Sequence, residues 1–483
     1  MRTAAASGSP FALDERERAM LERSLNGAHA RARGSGRATL ATVTVELPSG
    51  SDPSAIACAS RRPGEPWFLF EQPDRGRRAL ACLGEATALH ASGPDRFKEL
   101  AGRWRKLAGR AVGDLPDGPA GAGPVAVGGF AFAPEGGAAP HWREFAPAGL
   151  SVPEVAISRT ERGGEELVRM TLSALVEADD SVEERLEGLL ARVAELRSAP
   201  LPMLDPAPTG RFQVVSAMPP EHYEQAVGRA VEMIRAGRIE KIVLSREVQV
   251  HAPTPYDAPA IFGVLREEFP SCFVFCAGRG DSVLIAASPE LLIRREGHRA
   301  STLALAASSR RSADPAVDAH LGEQLLQDES YREEHAIVAR RIERTLRPHS
   351  VWVASAPEPE LARIANIQHL ATPIRAQLAS PIEAIELAGL MHPTPAVGGE
   401  PLAVAGPLIP ALEGLDRGWY LGPVGWTDAA GDGEFCVALR CALLNGSVAR
   451  CYAGGGIVRD SVPERELAET EVKLAALLPL LVG

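Results

Sequence analysis

No two cysteines of this 483-residue chain stand in C-x-x-C spacing, so the sequence gives no sign of a zinc ribbon or a redox dithiol. The seven cysteines are an odd number. Cys272, Cys276, Cys436, Cys441 and Cys451 lie in apolar, strand-like stretches, where reduced core thiols are expected. Long apolar runs are missing as well: the longest, such as 474–483, fall well short of a membrane span. The opening MRTAAASGSPFALDERER lacks the apolar core of a secretory signal, and a cytoplasmic protein is expected. Basic residues are in the minority, with 51 Lys and Arg against 62 Asp and Glu for a net charge of -11, and they are scattered rather than clustered. Such a chain is a poor partner for nucleic acid or anionic membrane. It has no G-x-G-x-x-G, no phosphate loop ending in GKS/T and no internal repeat.

What is present is an ordinary globular composition, 45% hydrophobic and 23% charged, long enough for a large core and up to roughly three domains. Residues 14–32 read as a helix and 38–48 as a strand; 66–73 and 124–134 read as further strands, with a loop over 113–123. The proline-rich, aperiodic 198–210 segment is the candidate linker. It divides an N-terminal region (1–205), expected to pack onto the rest, from a second part (206–483). Beyond it, apolar spacing predicts a helix over 221–237 capped at Gly237, then a strand over 238–250. Strands are also predicted at 272–278, 282–289 and 435–444, with a long helix around 317–346. This irregular alternation favours an α+β or mixed sheet over a regular βαβ repeat.

A few residues ask for chemistry. Lys241 lies in KIVLS, with Ile239 and Val243 on its own face of the strand and Ile242 and Leu244 on the other. A strand apolar on both faces is buried, and burial lowers the pKa of an ammonium toward the range of a general base. The local pattern alone is met more often by a lysine snorkelling to water. Glu290 follows an apolar strand and a proline, where burial would keep it protonated as a general acid, although a turn glutamate is usually solvated. Glu334 and His335 sit on one helical stretch, Glu466 and Glu469 on another. Carboxylates from two helices suit a hard divalent ion such as Mg2+, and a cation between Glu466 and Glu469 would turn their one-turn repulsion into coordination. Solvated helix faces are the plainer reading. Arg440, within CVALRCALL, needs an anionic partner from the protein or a substrate. HPTPAVGGEP (392–401) and AGGGIV (453–458) read as glycine-rich turns that bring backbone close to a ligand or another chain.

Together these segments resemble the chorismate-utilising enzymes: isochorismate synthases, salicylate synthases and the large subunits of anthranilate and aminodeoxychorismate synthases. The likeness is carried, in family order, by KIVLSREV, ASPELLIRREG, REEHAIV, HLATPI, HPTPAVGGEP, DRGWYLGPVGW, GDGEFCVALR, AGGGIV and ERELAETEVKL. It covers roughly residues 215–480, with weaker support from WFLFEQP and VAVGGFAFAP. The resemblance implies an α+β fold of large antiparallel β-sheets packed face to face and flanked by helices. It makes Lys241 the base that activates water for attack at ring C2 of chorismate, and Glu290 the acid that protonates the departing C4 hydroxyl. It gives Mg2+ to Glu334 and Glu469, with Glu466 in support. Arg440 and the Gly454 backbone match the site of the enolpyruvyl carboxylate; Ser308, His369, Ala396 and Lys473 match other substrate positions.

Within the family, Ala306 stands where aminodeoxychorismate synthases carry a nucleophilic lysine, and Lys241 where anthranilate synthases usually have glutamine. PTPAVGG, with Ala396, looks like the isochorismate synthase version rather than that of salicylate synthases. The resemblance therefore implies an isochorismate synthase, a monomer without a glutamine amidotransferase subunit. Salicylate synthase is one alternative; a chorismate-binding homologue with weak or no turnover is the other. The pathway, whether to a catechol or salicylate siderophore or to a quinone, stays open. Three departures bear on activity: Ala307 replaces a family glycine, Ser330-Tyr331 replaces a Lys-acid pair near the expected metal, and Ser312 replaces a glycine.

Overall fold

In the computed structural model, residues 9–113, 121–205, 208–364 and 367–482 are described. Most of the expected 113–123 loop, residues 206–207 of the linker and the first eight residues lie outside them.

The strand Trp67–Gln72 shows why its sequence reads as an unbroken apolar run. Phe68 and Phe70 face one core with Leu150, Phe275 and Phe435, while Trp67 and Leu69 face another with Leu21, Ile56 and Phe262. A strand covered on both sides needs no polar alternation. Among the described residues the strands form a twelve-stranded and a ten-stranded sheet with antiparallel ladders. The first core lies between the two sheets. The second lies between the larger sheet and the helices Glu15–Ser35, Pro53–Ser60, Val182–Ala194 and Ala258–Glu268.

Both sheets run across the candidate linker. Trp67–Gln72 pairs with Phe273–Arg279 in the larger sheet, and Val125–Phe130 with Pro423–Asp428 in the smaller. The linker itself carries neither helix nor strand over 198–205, yet Leu201 and Leu204 pack on the outer core.

Local chemistry sets the helix ends. Asp14 and Glu17 form a capping box on Glu15–Ser35. Pro220–Arg235 closes with Gly237 at φ 70 and Arg238 N–H donating to Met233 O at 3.0 Å, a Schellman ending. Two predicted elements are cut. The long helix is two, Pro315–Gln327 and Glu329–Leu346, because the Asp328 side chain accepts from the N–H groups of Ser330 and Tyr331 and starts a new helix. The 435–444 run is two strands, Gly433–Val437 and Cys441–Asn445, in different sheets. AGGGIV is no turn, since Gly454, Gly455 and Gly456 lie inside the strand Val448–Ile457. Among the described residues no helix is long and apolar enough to cross a membrane.

Candidate active site

The chain crosses between the sheets twice at one place. It leaves Ser282–Ser288 in the larger sheet for Leu291–Glu296 in the smaller through Pro289 and Glu290, and it returns from Gly433–Val437 to Cys441–Asn445 through 438–440. The crossings are tied together: Val437 N–H donates to Glu290 O at 3.0 Å, and Ala287 N–H to Arg440 O at 3.1 Å. Arg440 takes φ 50 to make its corner. Of the four non-glycine residues with positive φ among those described, Ala307, Leu421 and Arg440 line one cavity. Left-handed backbone of this kind is strained and collects at functional sites.

That cavity measures about 330 Å3 and gathers Lys241, Glu290, Ser308, Glu334, His369, Ala396, Arg440, Gly454, Glu466, Glu469 and Lys473. His335, singled out beside Glu334, is not among its lining and instead lies with Nε2 2.7 Å from Thr372 Oγ1. Lys241 does not snorkel. It is 1% exposed, beside Val243 on the cavity side of its strand, while Ile242 and Leu244 pack with the Pro220–Arg235 helix. Its Nζ donates to Glu334 Oε1 at 2.8 Å. The pair fits because residue 456 is glycine: a Cβ there would collide with Glu334 Oε1 and lie 3.0 Å from Lys241 Nζ. Glu290 is 4% exposed, and burial pushes its pKa up to about 8 against the opposing pull of Lys241. It therefore holds its proton at neutral pH.

Arg440 is 7% exposed, and among the described residues it pairs with no carboxylate. Its Nη2 lies 3.2 Å from His369 Nε2, and its Nη1 is buried without a partner. Since a guanidinium can only donate, His369 Nε2 accepts, and His369 Nδ1–H donates to Ala307 O at 3.1 Å. His369 is thus neutral, in keeping with burial and the charges of Arg440 and Lys473, which push its pKa well below the usual range. The free Nη1 is a ready donor to an anion.

The Pro463–Leu474 helix supplies the acidic wall. Burial and then Glu469 push the pKa of Glu466 up. Glu469 is only half-buried, and Lys473 at 2.6 Å and Ser308 Oγ at 2.7 Å hold its pKa below the usual range against the desolvation it does feel. Lys473 Nζ also donates to Gly454 O at 2.8 Å. Lysines thus pair with two of the four cavity glutamates, Glu334 and Glu469.

A family model described as chorismate binding enzyme matches residues 27–482. The chain belongs to the chorismate-binding enzyme family. Its membership extends through the N-terminal third, well beyond the 215–480 stretch where the motifs are dense. Among its relatives, the salicylate biosynthesis isochorismate synthase of Pseudomonas aeruginosa is 36% identical over 419 residues, 85% of this chain and 84% of that protein. Isochorismate synthase MenF of Bacillus subtilis is 30% identical over 427 residues, 86% of this chain and 88% of that protein. The solved structure of MenF, the menaquinone-specific isochorismate synthase from Escherichia coli, superposes with a TM-score of 0.76 at 27% identity, over 95% of this chain and 100% of that one.

The resemblance implies a Mg2+ ion, which these side chains either suit or do not. Among the described residues no three His, Cys, Asp or Glu side chains already converge as a metal group. The donors nevertheless fit a hard divalent cation: all are carboxylates, Glu334 and Glu469 both raise the pKa of Glu466, and a Cβ at Gly455 or Gly456 would press on Glu466 or Glu334. Ser330 and Tyr331 do line the cavity, so an acid is missing there; Ser312 instead donates its N–H to Asp318 at 3.0 Å, outside the cavity. Sequence reasoning missed Tyr420 and Tyr452, which stack at 4.9 Å on the cavity wall, Tyr452 with a buried, unpartnered hydroxyl. Strand parity could have found Tyr452, which shares a face with Gly454 and Gly456.

Proposed function

We propose that this protein is an isochorismate synthase, converting chorismate to isochorismate by adding water at C2 and expelling the C4 hydroxyl. The observation that carries the reading is an acid held protonated by burial, Glu290, and an amine, Lys241, lining the same cavity as Arg440, whose guanidinium has no carboxylate partner among the described residues. Arg440 Nη1 and the Gly454 backbone bind one substrate carboxylate, and the neutral His369 keeps the guanidinium pointed at it. Glu290 gives its proton to the leaving C4 oxygen, which departs as water. Lys241 first gives the extra proton of its ammonium to solvent, and its neutral Nζ then takes a proton from the water that attacks C2; after turnover solvent returns a proton to Glu290 and removes one from Lys241, which resets both groups. One water enters and one leaves, so atoms and charge balance. Glu334 and Glu469, with Glu466 in support, would hold Mg2+, which supplies positive charge to the second substrate carboxylate. Ala306 on the cavity wall offers no amine for covalent attack, which speaks against an aminodeoxychorismate synthase. With water as the nucleophile, no amidotransferase subunit is needed, and the protein acts as a monomer.

One incubation of purified protein with chorismate and Mg2+, products separated by chromatography, tests the reading. Isochorismate supports it. Salicylate with pyruvate would make the protein a salicylate synthase, and unchanged chorismate would leave a binding homologue. Lys241→Ala should abolish turnover while the circular dichroism spectrum stays unchanged; normal turnover in that variant refutes the base.

A further inference from the structure

We propose that the protein carries a second ligand site, further along the Lys241–His251 strand from the catalytic cavity, for a small aromatic carboxylate. A separate cavity of about 310 Å3 lies there, nearly as large as the catalytic one at about 330 Å3. Its apolar wall comes from Ala226, Leu244, Leu412 and Leu415, with Met218 at an exposed position. Such a wall suits a flat apolar body.

The polar groups select the other end of the ligand. The three acids of the wall already accept hydrogen bonds: Glu247 from Arg450 at 2.6 Å and Gln249 at 2.8 Å, Glu413 from Ser245 N–H at 2.7 Å and from Arg417, and Asp416 from the N–H groups of Ala139 at 2.6 Å and Gly418 at 3.1 Å. Arg246 carries the donor left over: the residue is 8% exposed, both terminal nitrogens are engaged, and its Nε–H is buried without a hydrogen-bond partner among the described residues. His141 Nε2 is likewise buried and unpartnered among them, a donor or an acceptor according to the ring's tautomer. An unused guanidinium N–H beside an apolar wall calls for an acceptor, and favours an anionic one.

The site is joined to the catalytic wall through named contacts. Arg246 donates to Thr470 at 3.1 Å and to Glu471, on the helix that bears Glu466, Glu469 and Lys473. Tyr223 lines the second cavity, and its hydroxyl lies 3.4 Å from where a Cβ of Gly455 would sit, beside Glu466. A carboxylate on Arg246 competes with Glu471 for the guanidinium and so shifts the acidic helix. Binding there and binding of chorismate are therefore coupled, in both directions. This coupling rests on chorismate being the substrate; the site itself does not.

Calorimetric titration of the whole protein with benzoate tests the site. Binding with Kd below about 1 mM is expected, weakened about tenfold or more in Met218→Trp, which blocks the mouth from the surface, and in Arg246→Gln. Arg440→Ala, in the catalytic cavity, should leave benzoate affinity within about twofold. No binding at millimolar benzoate, or binding that survives Met218→Trp and is lost in Arg440→Ala, overturns the proposal. Saturating benzoate should change chorismate affinity about threefold or more; an unchanged affinity, with benzoate bound, overturns the coupling alone. Because benzoate binding is read without chorismate, failure of the second site and failure of the isochorismate synthase reading are told apart.

Discussion

Glu290 is a carboxylic acid that stays an acid at neutral pH because burial outweighs the pull of Lys241. The sign of the effect follows. Its pKa is raised to about 8, so the proton is present below that pH and lost above it. If that proton goes to the leaving hydroxyl, kcat should fall as pH rises through about 8, and Glu290→Gln should lose roughly 10²–10⁴ of kcat. A wild-type profile flat to pH 10 would assign the acid elsewhere. Ala307 makes a different prediction at the same scale. Its φ of 55 costs a residue with a Cβ about 1–2 kcal/mol, partly offset in a glycine variant by the greater freedom of its unfolded chain. Ala307→Gly should therefore be neutral to about 1 kcal/mol more stable in urea unfolding, and Ala307→Val less stable by more than about 1 kcal/mol. Lys241, Glu290 and the glutamates were legible because each sits in a dense motif. The left-handed corner at Arg440 was not, because arginine gives no signal for positive φ as glycine does.

Elements were legible where burial repeats and illegible where it changes sides. Trp67–Gln72 and Lys241–His251 read correctly because apolar residues on both faces mark a covered strand. The 435–444 run looks the same, yet its halves are buried in different sheets; with neither glycine nor proline at the crossing, the sequence shows no seam there. The break at Asp328 did leave a trace, an N-capping side chain inside a helical pattern. The glycine run 454–456 is an element-scale device, small residues in a strand where side chains from two helices must approach. Gly456→Ala should keep the fold, since the Cβ meets the movable ends of Lys241 and Glu334, yet cut turnover by about 100-fold by displacing them. Gly425→Ala provides the contrast. Its Cβ would strike the backbone of the paired strand at Glu434 and lie 2.8 Å from Phe435 Cα, so it should cost about 1–3 kcal/mol of stability. Thermal unfolding and initial rates on the two variants separate the effects; equal destabilisation by both would refute the distinction.

At the scale of the molecule, the composition change at 198–210 suggests a boundary that strand pairing does not respect. The pairing partners lie about 200 residues apart for Trp67–Gln72 with Phe273–Arg279 and about 300 for Val125–Phe130 with Pro423–Asp428, and no local pattern encodes that register. Without residues 1–205, the strand Phe273–Arg279 would present a bare edge, and Phe275 and Ala277 would lose Phe68, Phe70 and Leu80 from their shared core. The strand Pro423–Asp428 would likewise lose Val125–Phe130, and Trp419 would lose Phe145, whose ring centroid lies 5.1 Å away. Two long edges and an opened core are conditions for aggregation. A chain beginning at residue 208 should therefore be insoluble or unfolded, whereas cleavage of the intact protein within 198–210 should leave both pieces bound, because the sheets and not the connection hold them. Calorimetry of the whole chain should show one cooperative transition rather than two. A soluble, folded 208–483 fragment that binds chorismate would show that the catalytic crossings stand without the strands beside them, and would return the boundary to where the composition places it.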